Sequence, residues 1–515
     1  MIRLRRIPQC RAMLAILLAI STTCNGFLYR SPAGSIKDNC IIYEHGQYYM
    51  YTMYWNGPLP ATADRTLETQ WRSVWLATSK DGVHWHDVGP VIKDAPFQIW
   101  AMSVWKVGNH YYMNHGSFTG SEQNVLKFWE SPDLIHWTYR GVDSDVRRPH
   151  GGRLDRMNVL RLTENNRESW YGYASGGILH SVDGIHWQWL QDYPLTDRLD
   201  YRITQEPGGC ALINGRYYLL VGGFFTGSFN YSVATYTSLS PRGPFSPDYK
   251  YFRLVGDEGR KFVAQWASFL STPNELLVNN YIVDPSGAFF WHAPLKRAIV
   301  DQDGHLFLKY WNGNESLKGA PIPVSLATRP TLSAPAGASV TSISNSIQLS
   351  VPVSQRVPWE TPPQPTTAIA RTANALPAEA GFVLEGRIRV ERAPNGKIIF
   401  PAVGLVFEEG PQRGTAVFLR TWGQTEIGKL SWQDGVHFDP EDRTAYGCAT
   451  KCGLTIGQES TFRVLHRKGI FEFYLDDYLV QTWTTSHATG AFDLVVQDGQ
   501  VTFTGLQAWK MDLKE

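Results

Sequence analysis

The stretch EPGGCALINGRYYLLV, residues 206–221, decides the fold. It begins with the carboxylate of Glu206, continues through small and apolar residues, and turns at Asn214-Gly215 before an aromatic strand. An Asn-Gly pair between two apolar runs is a strong hairpin signal, because both residues accept positive φ. The stretch therefore predicts a β-hairpin with an acid at the start of its leading strand.

The same pattern recurs four more times in the amino-terminal part of the chain. Each copy has a leading apolar strand, a turn, and a returning strand in which aromatic residues are frequent. The first residues of the five leading strands are Asp38, Trp100, Asp155, Glu206 and Trp266. Three of these positions are carboxylates and two are tryptophans, so the repeat places ionisable groups at equivalent points of different units.

A second repeat supports the first. SKDGVHW (79–85), SPDLIHW (131–137) and SVDGIHW (181–187) are copies of one motif, spaced by about fifty residues. A period in this range is typical of propellers and solenoids. With four short strands in each unit and no segment of helical period, residues 27–320 are predicted to form a five-bladed β-propeller.

The histidines of these copies, His84, His136 and His186, raise the question of a metal site. The repeat puts them in turns at equivalent outer positions of different blades, too far apart to share an ion. We therefore expect them to be structural. The sequence has no paired metal-ligand motif and no phosphate-binding loop, and it predicts no metal and no cofactor.

After the propeller the composition changes. Residues 321–380 are rich in Pro, Ser, Thr and Ala, which predicts a linker with one candidate sandwich strand at 338–351. From residue 381 to 515, alternating strands separated by Gly, Asp and Asn resume. This is typical of an antiparallel β-sandwich of ordinary domain size. The predicted fold class is all-β, a propeller followed by a sandwich.

The amino terminus reads as a targeting segment. Four arginines precede the apolar run 12–20, and small residues follow it. This predicts a signal peptide at residues 1–26 and a secreted or periplasmic protein, because the run is too short to span a membrane. Lipid modification of Cys24 is the alternative, and Thr23 before it favours simple cleavage. No later stretch is apolar enough to cross a membrane.

The remaining cysteines allow two interpretations each. Cys448 and Cys452 lie in one turn-rich loop, where export permits a disulfide. Cys40 and Cys210 follow two of the leading acids and alternate onto the same strand face as those acids. They are either small buried fillers, which we favour, or residues that face each other.

Charge and composition narrow the partners. The chain of 515 residues has a net charge of +1 and only 18% charged residues, so nothing favours nucleic acid. Aromatic residues reach 13%, which suits β-structure and also sugar-binding surfaces. The expected partner is a carbohydrate, and the sequence does not indicate an oligomeric state.

In a propeller the leading strands line a central channel, and their first residues face one mouth of it. Asp38, Asp155 and Glu206 are therefore expected to converge, although any one of them alone would be read as a surface residue. Converging carboxylates raise each other's pKa. Glycoside hydrolysis uses such a set, with one carboxyl protonated to donate a proton and another ionised.

Weaker candidates surround the three acids. Trp100 and Trp266 are either stacking platforms for a sugar or core residues. Gln265, His115 and Arg153 are candidates for hydrogen bonds to sugar hydroxyls, each with a solvated or ion-paired side chain as the plain alternative. Arg156 beside Asp155 belongs to the same group.

The motifs KDNC (37–40), RLDRMNV (153–159) and QEPGG (205–209) resemble those of glycoside hydrolase family 32, the fructan and sucrose hydrolases. The resemblance covers nearly the whole mature chain and implies a propeller followed by a sandwich. It assigns Asp38 as nucleophile, Asp155 as stabiliser and Glu206 as general acid/base. The family has proline after the first two acids and cysteine after the third. Here Asn39 follows Asp38, and neither the second proline nor that cysteine is present.

The related family 43 shares the propeller and the three acids and usually inverts, with Asp38 as general base. Three functions therefore stay open: a retaining hydrolase of fructan or sucrose type, an inverting arabinosidase or xylosidase, and a carbohydrate-binding propeller without catalysis. A phosphorylase or transferase is a weaker fourth. An exo-acting enzyme is the simplest form of the first, because a funnel accepts a chain end.

Overall fold

Antiparallel sheets make up almost all of the chain in a computed structural model. The residues described are 27–31, 35–55, 71–117, 121–164, 166–197, 199, 206–224, 231–257, 263–283, 290–330, 337–343, 346–353, 365–396, 400–444, 447–486 and 488–514. Within them the helical segments are two short 3₁₀ turns, Val142–Ser144 and Asn312–Leu317. The predicted signal peptide lies outside the described residues. No helix of the described part has the length and apolarity needed to cross a membrane.

Five sheets occupy the amino-terminal part, and in each the strands follow one another largely in chain order. The first contains β1 (Ser35–Glu44), β2 (Gln47–Trp55), β3 (Ser73–Ser79) and β4 (His86–Ile92). The second contains β5 (Trp100–Val107), β6 (His110–Gly116), β7 (Val125–Ser131), β8 (Thr138–Tyr139) and β9 (Val146–Arg147). The third contains β10 (Met157–Glu164), β11 (Arg167–Ala174), β12 (Gly177–Ser181) and β13 (Gln188–Asp192).

The fourth sheet contains β14 (Glu206–Ile213), β15 (Arg216–Phe224), β16 (Tyr231–Ser238), β17 (Ser246–Pro247) and β18 (Arg253–Gly256). The fifth contains β19 (Ala264–Ser271), β20 (Leu276–Val283), β21 (Phe290–His292), β22 (Lys296–Val300) and β23 (Leu306–Tyr310). The leading strands contact one another in cyclic order: β1 with β5, β5 with β10, β10 with β14, β14 with β19, and β19 with β1. The sheets therefore close into a ring around a central axis, as in a propeller.

The hairpin turns have the backbone that the sequence predicts. At Asn214-Gly215 both residues have positive φ, 51° and 79°, and His45-Gly46 repeats this with 50° and 75°. This is the signature of a type I′ turn, whose twist matches that of the flanking strands. In these two hairpins the local turn signal therefore specifies the pairing of the residues next to the turn.

The second repeat is a side-chain-capped turn. In the first copy, Asp81 Oδ1 accepts hydrogen bonds from the amides of Val83 and His84, and Asp81 Oδ2 lies 2.6 Å from His84 Nδ1. The other two copies have the same bonds, with carboxylate–histidine distances of 2.7 Å at His136 and at His186. Each histidine thus pairs with the aspartate of its own turn, which accounts for its place in the repeat.

The carboxy-terminal part is a sandwich of two sheets. The first contains β24 (Lys318–Ile322), β26 (Ser339–Ile343), β27 (Ser346–Ser350), β29 (Phe382–Glu391), β34 (Glu459–Arg467), β35 (Ile470–Leu475), β36 (Tyr478–Thr484) and β38 (Gln500–Met511). The second contains β25 (Leu326–Pro330), β28 (Thr367–Thr372), β30 (Ala402–Gly410), β31 (Arg413–Arg420), β32 (Thr425–Ser431), β33 (His437–Arg443) and β37 (Phe492–Gln497). The predicted all-β class, propeller plus sandwich, is confirmed.

The range 321–380 differs from the linker expected there. Strand β27 pairs with the final strand β38, and β28 pairs with β37, so this range supplies strands to both sheets of the sandwich. Strand β28 was not predicted, because it is only six residues long and lies in a range of Pro-rich and Ser-rich composition. The candidate strand at 338–351 corresponds to the hairpin β26–β27.

The propeller and the sandwich share one hydrophobic cluster, which joins residues such as Trp85 and Leu308 to Phe473. At its centre, Lys296 of the fifth sheet and Glu472 of the sandwich form an ion pair of 2.5 Å with both side chains almost fully buried. Lys296 also donates to Asn280 Oδ1 and to the Pro294 carbonyl, each at 2.9 Å. These contacts satisfy the buried ammonium at the junction.

None of the four cysteines in the described residues forms a disulfide. Cys448 Sγ accepts a hydrogen bond of 2.7 Å from Arg253 Nη2, whereas Cys452 Sγ lies 3.1 Å from the Gly423 carbonyl. The disulfide considered from the sequence is therefore not formed in this structure. Cys40 and Cys210 are buried in two separate apolar clusters, in agreement with the interpretation as fillers.

The junction gives a first prediction. Removing one partner of a buried ion pair leaves the other charge without compensation, so Lys296→Met or Glu472→Gln should each lower the free energy of unfolding by about 3–5 kcal/mol. The double variant should lose less than the sum of the two. Denaturant titration measures the three values.

The matched control is an exposed pair, Arg161 with Glu168, with 59% and 46% of the two side chains exposed. Arg161→Met should cost less than about 1 kcal/mol. If the single variants at the junction lower the free energy of unfolding no more than this control does, the interpretation of Lys296 and Glu472 as a buried ion pair is contradicted.

Candidate active site

The leading strands are irregular near their starts. Asp38 in β1, Ala101 in β5 and Trp266 in β19 have positive φ, 50°, 48° and 45°, although none is glycine. At each of these points the ladder to the second strand slips. A bulge of this kind bends the strand and re-aims a side chain. The bulge at Asp38 thus places an acid where regular alternation would not.

Arg153 joins two of the predicted acids. Its Nη2 donates to Asp155 Oδ2 at 2.6 Å and to Glu206 Oε1 at 2.7 Å. Asp155 lies just before β10 rather than at its first residue, and its side chain is 2% exposed. The Glu206 side chain is 23% exposed. The shared guanidinium brings together acids that are 51 positions apart in the sequence (206 − 155).

Asp38 completes the group. It is buried, and its charge acts on Asp155, on Arg156 and on Tyr281. The pKa of Tyr281 is raised first by burial and then by the carboxylate of Asp38, to which the Tyr281 hydroxyl is hydrogen-bonded. The structure therefore brings Asp38, Asp155 and Glu206 to one end of the propeller channel, as the repeat predicts.

Burial and like charge raise the pKa of Asp155 to about 7. Burial is the largest cause, the Arg153 guanidinium opposes it, and the charges of Glu206 and then Asp38 raise the value further. An acid surrounded in this way changes its protonation state near neutral pH. Perturbed carboxyls in a cleft are typical of acid/base sites.

Two glycines make room for the site. A Cβ on Gly222 would lie 1.9 Å from the Tyr231 hydroxyl, which donates to Glu206 Oε2 at 2.8 Å. A Cβ on Gly116 would lie 1.9 Å from the Leu154 carbonyl, at the segment that leads to Asp155. Any side chain at either position would displace the acid or its partner.

Sequence reasoning missed three residues of the site. They are Tyr231 on Glu206, Tyr281 on Asp38, and Ser175, whose hydroxyl lies 3.4 Å from Asp155 Oδ2. In an antiparallel meander, the start of the first strand, the end of the second and the start of the third share one edge. A search of those positions would have found all three.

The two predicted stacking platforms are buried. Trp266 is 2% exposed, and the Arg156 guanidinium lies 3.9 Å from the centre of its ring. Trp100 is 5% exposed, and the Lys37 ammonium lies 4.4 Å from its ring centre. Both rings are thus in contact with cations of the chain itself, and neither offers an open face to a sugar in this structure.

His115 and Gln265 have different surroundings. His115 is fully buried, donates through Nδ1 to the Gly116 carbonyl at 2.9 Å, and stacks on Phe97 at 5.6 Å. Burial lowers its pKa to about 4, so it is a neutral core ring rather than a sugar ligand. Gln265 is half-buried at the mouth, where its Oε1 accepts from the Tyr281 hydroxyl at 3.3 Å.

Behind the acids the channel widens into a cavity of about 800 Å³. Residues of the leading strands line it, among them Cys40, Ser103, Asn158, Cys210 and Ser268. The three acids are not part of its lining, so they lie at the other end of the axis. Within the described residues, no group of three or more His, Cys, Asp and Glu side chains is arranged to hold a metal ion.

Comparison with solved structures places this architecture among known ones. The chain is similar to a GH32 beta-fructofuranosidase of Bombyx mori, with 9% identity, a TM-score of 0.63, and coverage of 96% of this chain and 94% of that chain. It is similar to a sucrose-6-phosphate hydrolase from Lactobacillus gasseri, with 12% identity, a TM-score of 0.63, and coverage of 96% and 93%. A fructofuranosidase from Schwanniomyces occidentalis gives 13% identity, a TM-score of 0.59, and coverage of 94% and 98%.

The fold is that of these GH32 structures. The resemblance expected from the motifs is confirmed at this level, and at such low identity it establishes the fold alone. No protein-family model and no curated protein matches the sequence.

The pKa of Asp155 gives a second prediction. Its folded pKa of about 7 lies above the unfolded value, so the stability that its proton provides is present below pH 4 and is lost as the pH rises through 7. Asp155→Asn removes this loss. Relative to the wild type, the variant should gain up to about 4 kcal/mol in free energy of unfolding between pH 4 and pH 8.

Denaturant titration at the two pH values measures the difference. The control is Asp192→Asn, because that side chain is 57% exposed and lies 3.7 Å from Arg148. It should change equally at both pH values. A parallel pH dependence of Asp155→Asn and the wild type would show that this acid is not perturbed.

Proposed function

We propose that the protein is a glycoside hydrolase that acts on β-fructofuranosides of the sucrose or fructan type. The observation that carries the proposal is the convergence of Asp38, Asp155 and Glu206 at one end of the propeller channel, with Arg153 bound to two of them. The likeness of the whole fold to three structures with fructofuranosidase or sucrose-6-phosphate hydrolase activity in their names supports the substrate class.

The three acids suit a double displacement. Asp38 attacks the anomeric carbon of the sugar while Glu206 gives its proton to the departing glycosidic oxygen, and a glycosyl-enzyme ester forms. Glu206 then takes a proton from water, which attacks the same carbon and releases Asp38. The side chain of Glu206 is more exposed than that of Asp155, so Glu206 suits contact with both a leaving group and water.

Asp155 suits a binding role. It is buried below Glu206 and is held by Arg153 and Ser175, so it cannot approach water without leaving these partners. A fixed carboxyl of this kind accepts hydrogen bonds from sugar hydroxyls and orients the ring. The Tyr231 hydroxyl and Arg153 fix the Glu206 carboxyl through its two oxygens, which sets the direction of proton transfer.

The inverting arabinosidase or xylosidase is the alternative within the same chemistry. In that case Asp38 activates a water instead of attacking carbon, and the product has the opposite anomeric configuration.

We also propose that the protein is exported, because residues 1–26 have the pattern of a signal peptide, and that it is exo-acting.

A carbohydrate-binding propeller without turnover is the second candidate. One observation favours it: the same Arg153 nitrogen bonds both Asp155 and Glu206, so Glu206 Oε1 is already bound by a cation of the chain itself. Turnover requires substrate binding to loosen the Glu206 contact.

A single substitution separates the two candidates. Glu206→Gln preserves the shape of the side chain and removes the transferable proton, so kcat should fall by about 10³-fold, since general acid catalysis contributes 10²–10⁴. The sugar dissociation constant should change by less than a few fold. Turnover of sucrose, a fructan, arabinan and xylan oligosaccharides, with the product anomer read by NMR, measures the first quantity, and calorimetry measures the second.

Glu168→Gln is the matched control, because Glu168 lies near the start of β11 with 46% of its side chain exposed. It should leave kcat unchanged. A wild-type protein that binds sugar but cleaves none of the panel would establish the second candidate instead.

A further inference from the structure

Arg156 is a buried guanidinium at the propeller axis that contacts three other blades. Its Nη1 donates to the Asn39 carbonyl in the first sheet and to the Met102 carbonyl in the second, each at 3.0 Å. Its plane lies over the Trp266 ring of the fifth sheet at 3.9 Å. The side chain is 0% exposed. One residue of the third sheet therefore touches the first, second and fifth sheets at once.

These contacts share a position in the fold. Asn39 follows the bulge at Asp38, Met102 follows the bulge at Ala101, and Trp266 is itself the bulged residue of β19. A residue other than glycine in the left-handed region costs free energy and persists where its surroundings fix it. Arg156 binds all three bulges and so supplies a common point that fixes them.

The segment at Asp38 is also held from the opposite side. The Ser268 hydroxyl donates to Asn279 Oδ1 at 2.8 Å, and Asn279 Nδ2 donates to Asn39 Oδ1 at 2.7 Å. Asn39 Nδ2 lies 2.7 Å from His292 Nδ1. All four side chains are buried. Asn39 is therefore bound through its side chain by the fifth sheet and through its carbonyl by Arg156.

Arg156 stands next to Asp155, and Asn39 stands next to Asp38. The hydrogen bond between Arg156 and Asn39 thus connects the residues that follow two of the three acids. Burial opposes the charge of Arg156, and the negative charge of Asp38 is among the groups that favour it. Among the described residues, Nε and Nη2 of Arg156 donate to no protein acceptor, so carbonyl binding and ring stacking account for its contacts.

We propose that Arg156 is a positioning residue that sets the orientation of Asp38 for attack, an inference that rests on the proposed function. It acts through the backbone after Asp38, since it binds the next carbonyl rather than the carboxylate. The competing interpretation is a purely structural residue that joins the blades. The two differ in what a conservative change does, because a structural residue affects stability and a positioning residue affects kcat.

Arg156→Lys tests the proposal, because lysine keeps the positive charge but cannot bind both carbonyls in a plane against Trp266. A nucleophile misplaced by about 1 Å can cost about 100-fold in rate, so kcat should fall by about this factor while KM stays within a few fold. The unfolding midpoint should fall as well, because buried carbonyls lose a donor, so kcat is compared under conditions in which both proteins are fully folded. Arg161→Lys, at an exposed arginine of β10, the strand that Arg156 precedes, should change none of these quantities.

A second variant keeps the proposal testable if Arg156→Lys does not fold. Asn279→Ala leaves Arg156 intact and removes one of the two side-chain contacts of Asn39 with the fifth sheet, so it should lower kcat in the same sense. A crystal structure of either variant should show the Asp38 carboxylate displaced and its φ changed from 50°. An unchanged Asp38, or a loss of kcat that merely follows loss of folded protein, would overturn the proposal.

The outcomes keep the two proposals apart. A wild-type protein that cleaves no sugar ends the proposed function, and the position of Asp38 in the variant structures still decides whether Arg156 holds it. A wild-type protein that cleaves sugar, with Arg156→Lys equally fast, ends the role of Arg156 alone.

Discussion

Closure of the ring of sheets is the constraint on which the rest of the structure depends. Because β1 contacts both β5 and β19, the five leading strands must share one axis, and their starting residues must meet at one mouth. Close approach at that axis leaves little room, which explains why a Cβ on Gly208 would lie 1.9 Å from the Ala267 carbonyl of the next sheet. It also explains the bulges, which turn side chains into the narrow space at the axis. With regular strands, only backbone atoms would face that space.

The same convergence creates an electrostatic problem at the mouth. Three acids in a space shielded from water destabilise one another, and Arg153 reduces that cost by binding two of them. The third, Asp38, is accompanied by Arg156 on one side and by the Tyr281 hydroxyl on the other. The site is therefore a network in which each acid has a cation or a hydroxyl as its partner, and Arg153 links the acids of the third and fourth sheets.

The sandwich is attached to the propeller by contacts of several kinds. Lys309 pairs with Tyr478 along a strand edge, so the fifth sheet and one sandwich sheet are continuous. The backbone of Arg253 bonds to Gly447 and Ala449, and His84 Nε2 lies 2.9 Å from the carbonyl of Asp512. These attachments involve the outer strands and turns of the blades, away from the leading strands. The sandwich thus supports the ring from its rim.

The sequence by itself determined the repeat, the hairpins and the identity of the acids. Asn214-Gly215 specifies its turn through local φ preferences, and the spacing of Asp38, Asp155 and Glu206 within equivalent units specifies their meeting, since both depend on short-range order and periodicity. Strand β28 was not predicted, because its partner β37 lies more than a hundred residues away and the surrounding composition is that of a linker, whereas the candidate strand at 338–351 matches the hairpin β26–β27.

Only the tertiary structure decided which side chains surround the acids. Trp266 and His115 are of residue types expected in a sugar-binding site, yet both side chains are buried in the interior. Conversely, Tyr231 was not among the predicted site residues, and its hydroxyl reaches Glu206 because the start of its strand shares one edge of the sheet with the start of the leading strand. The physical reason is that a short motif specifies the backbone conformation of its own residues. Burial, charge pairing and the contacts of a guanidinium depend instead on neighbours that ring closure brings together.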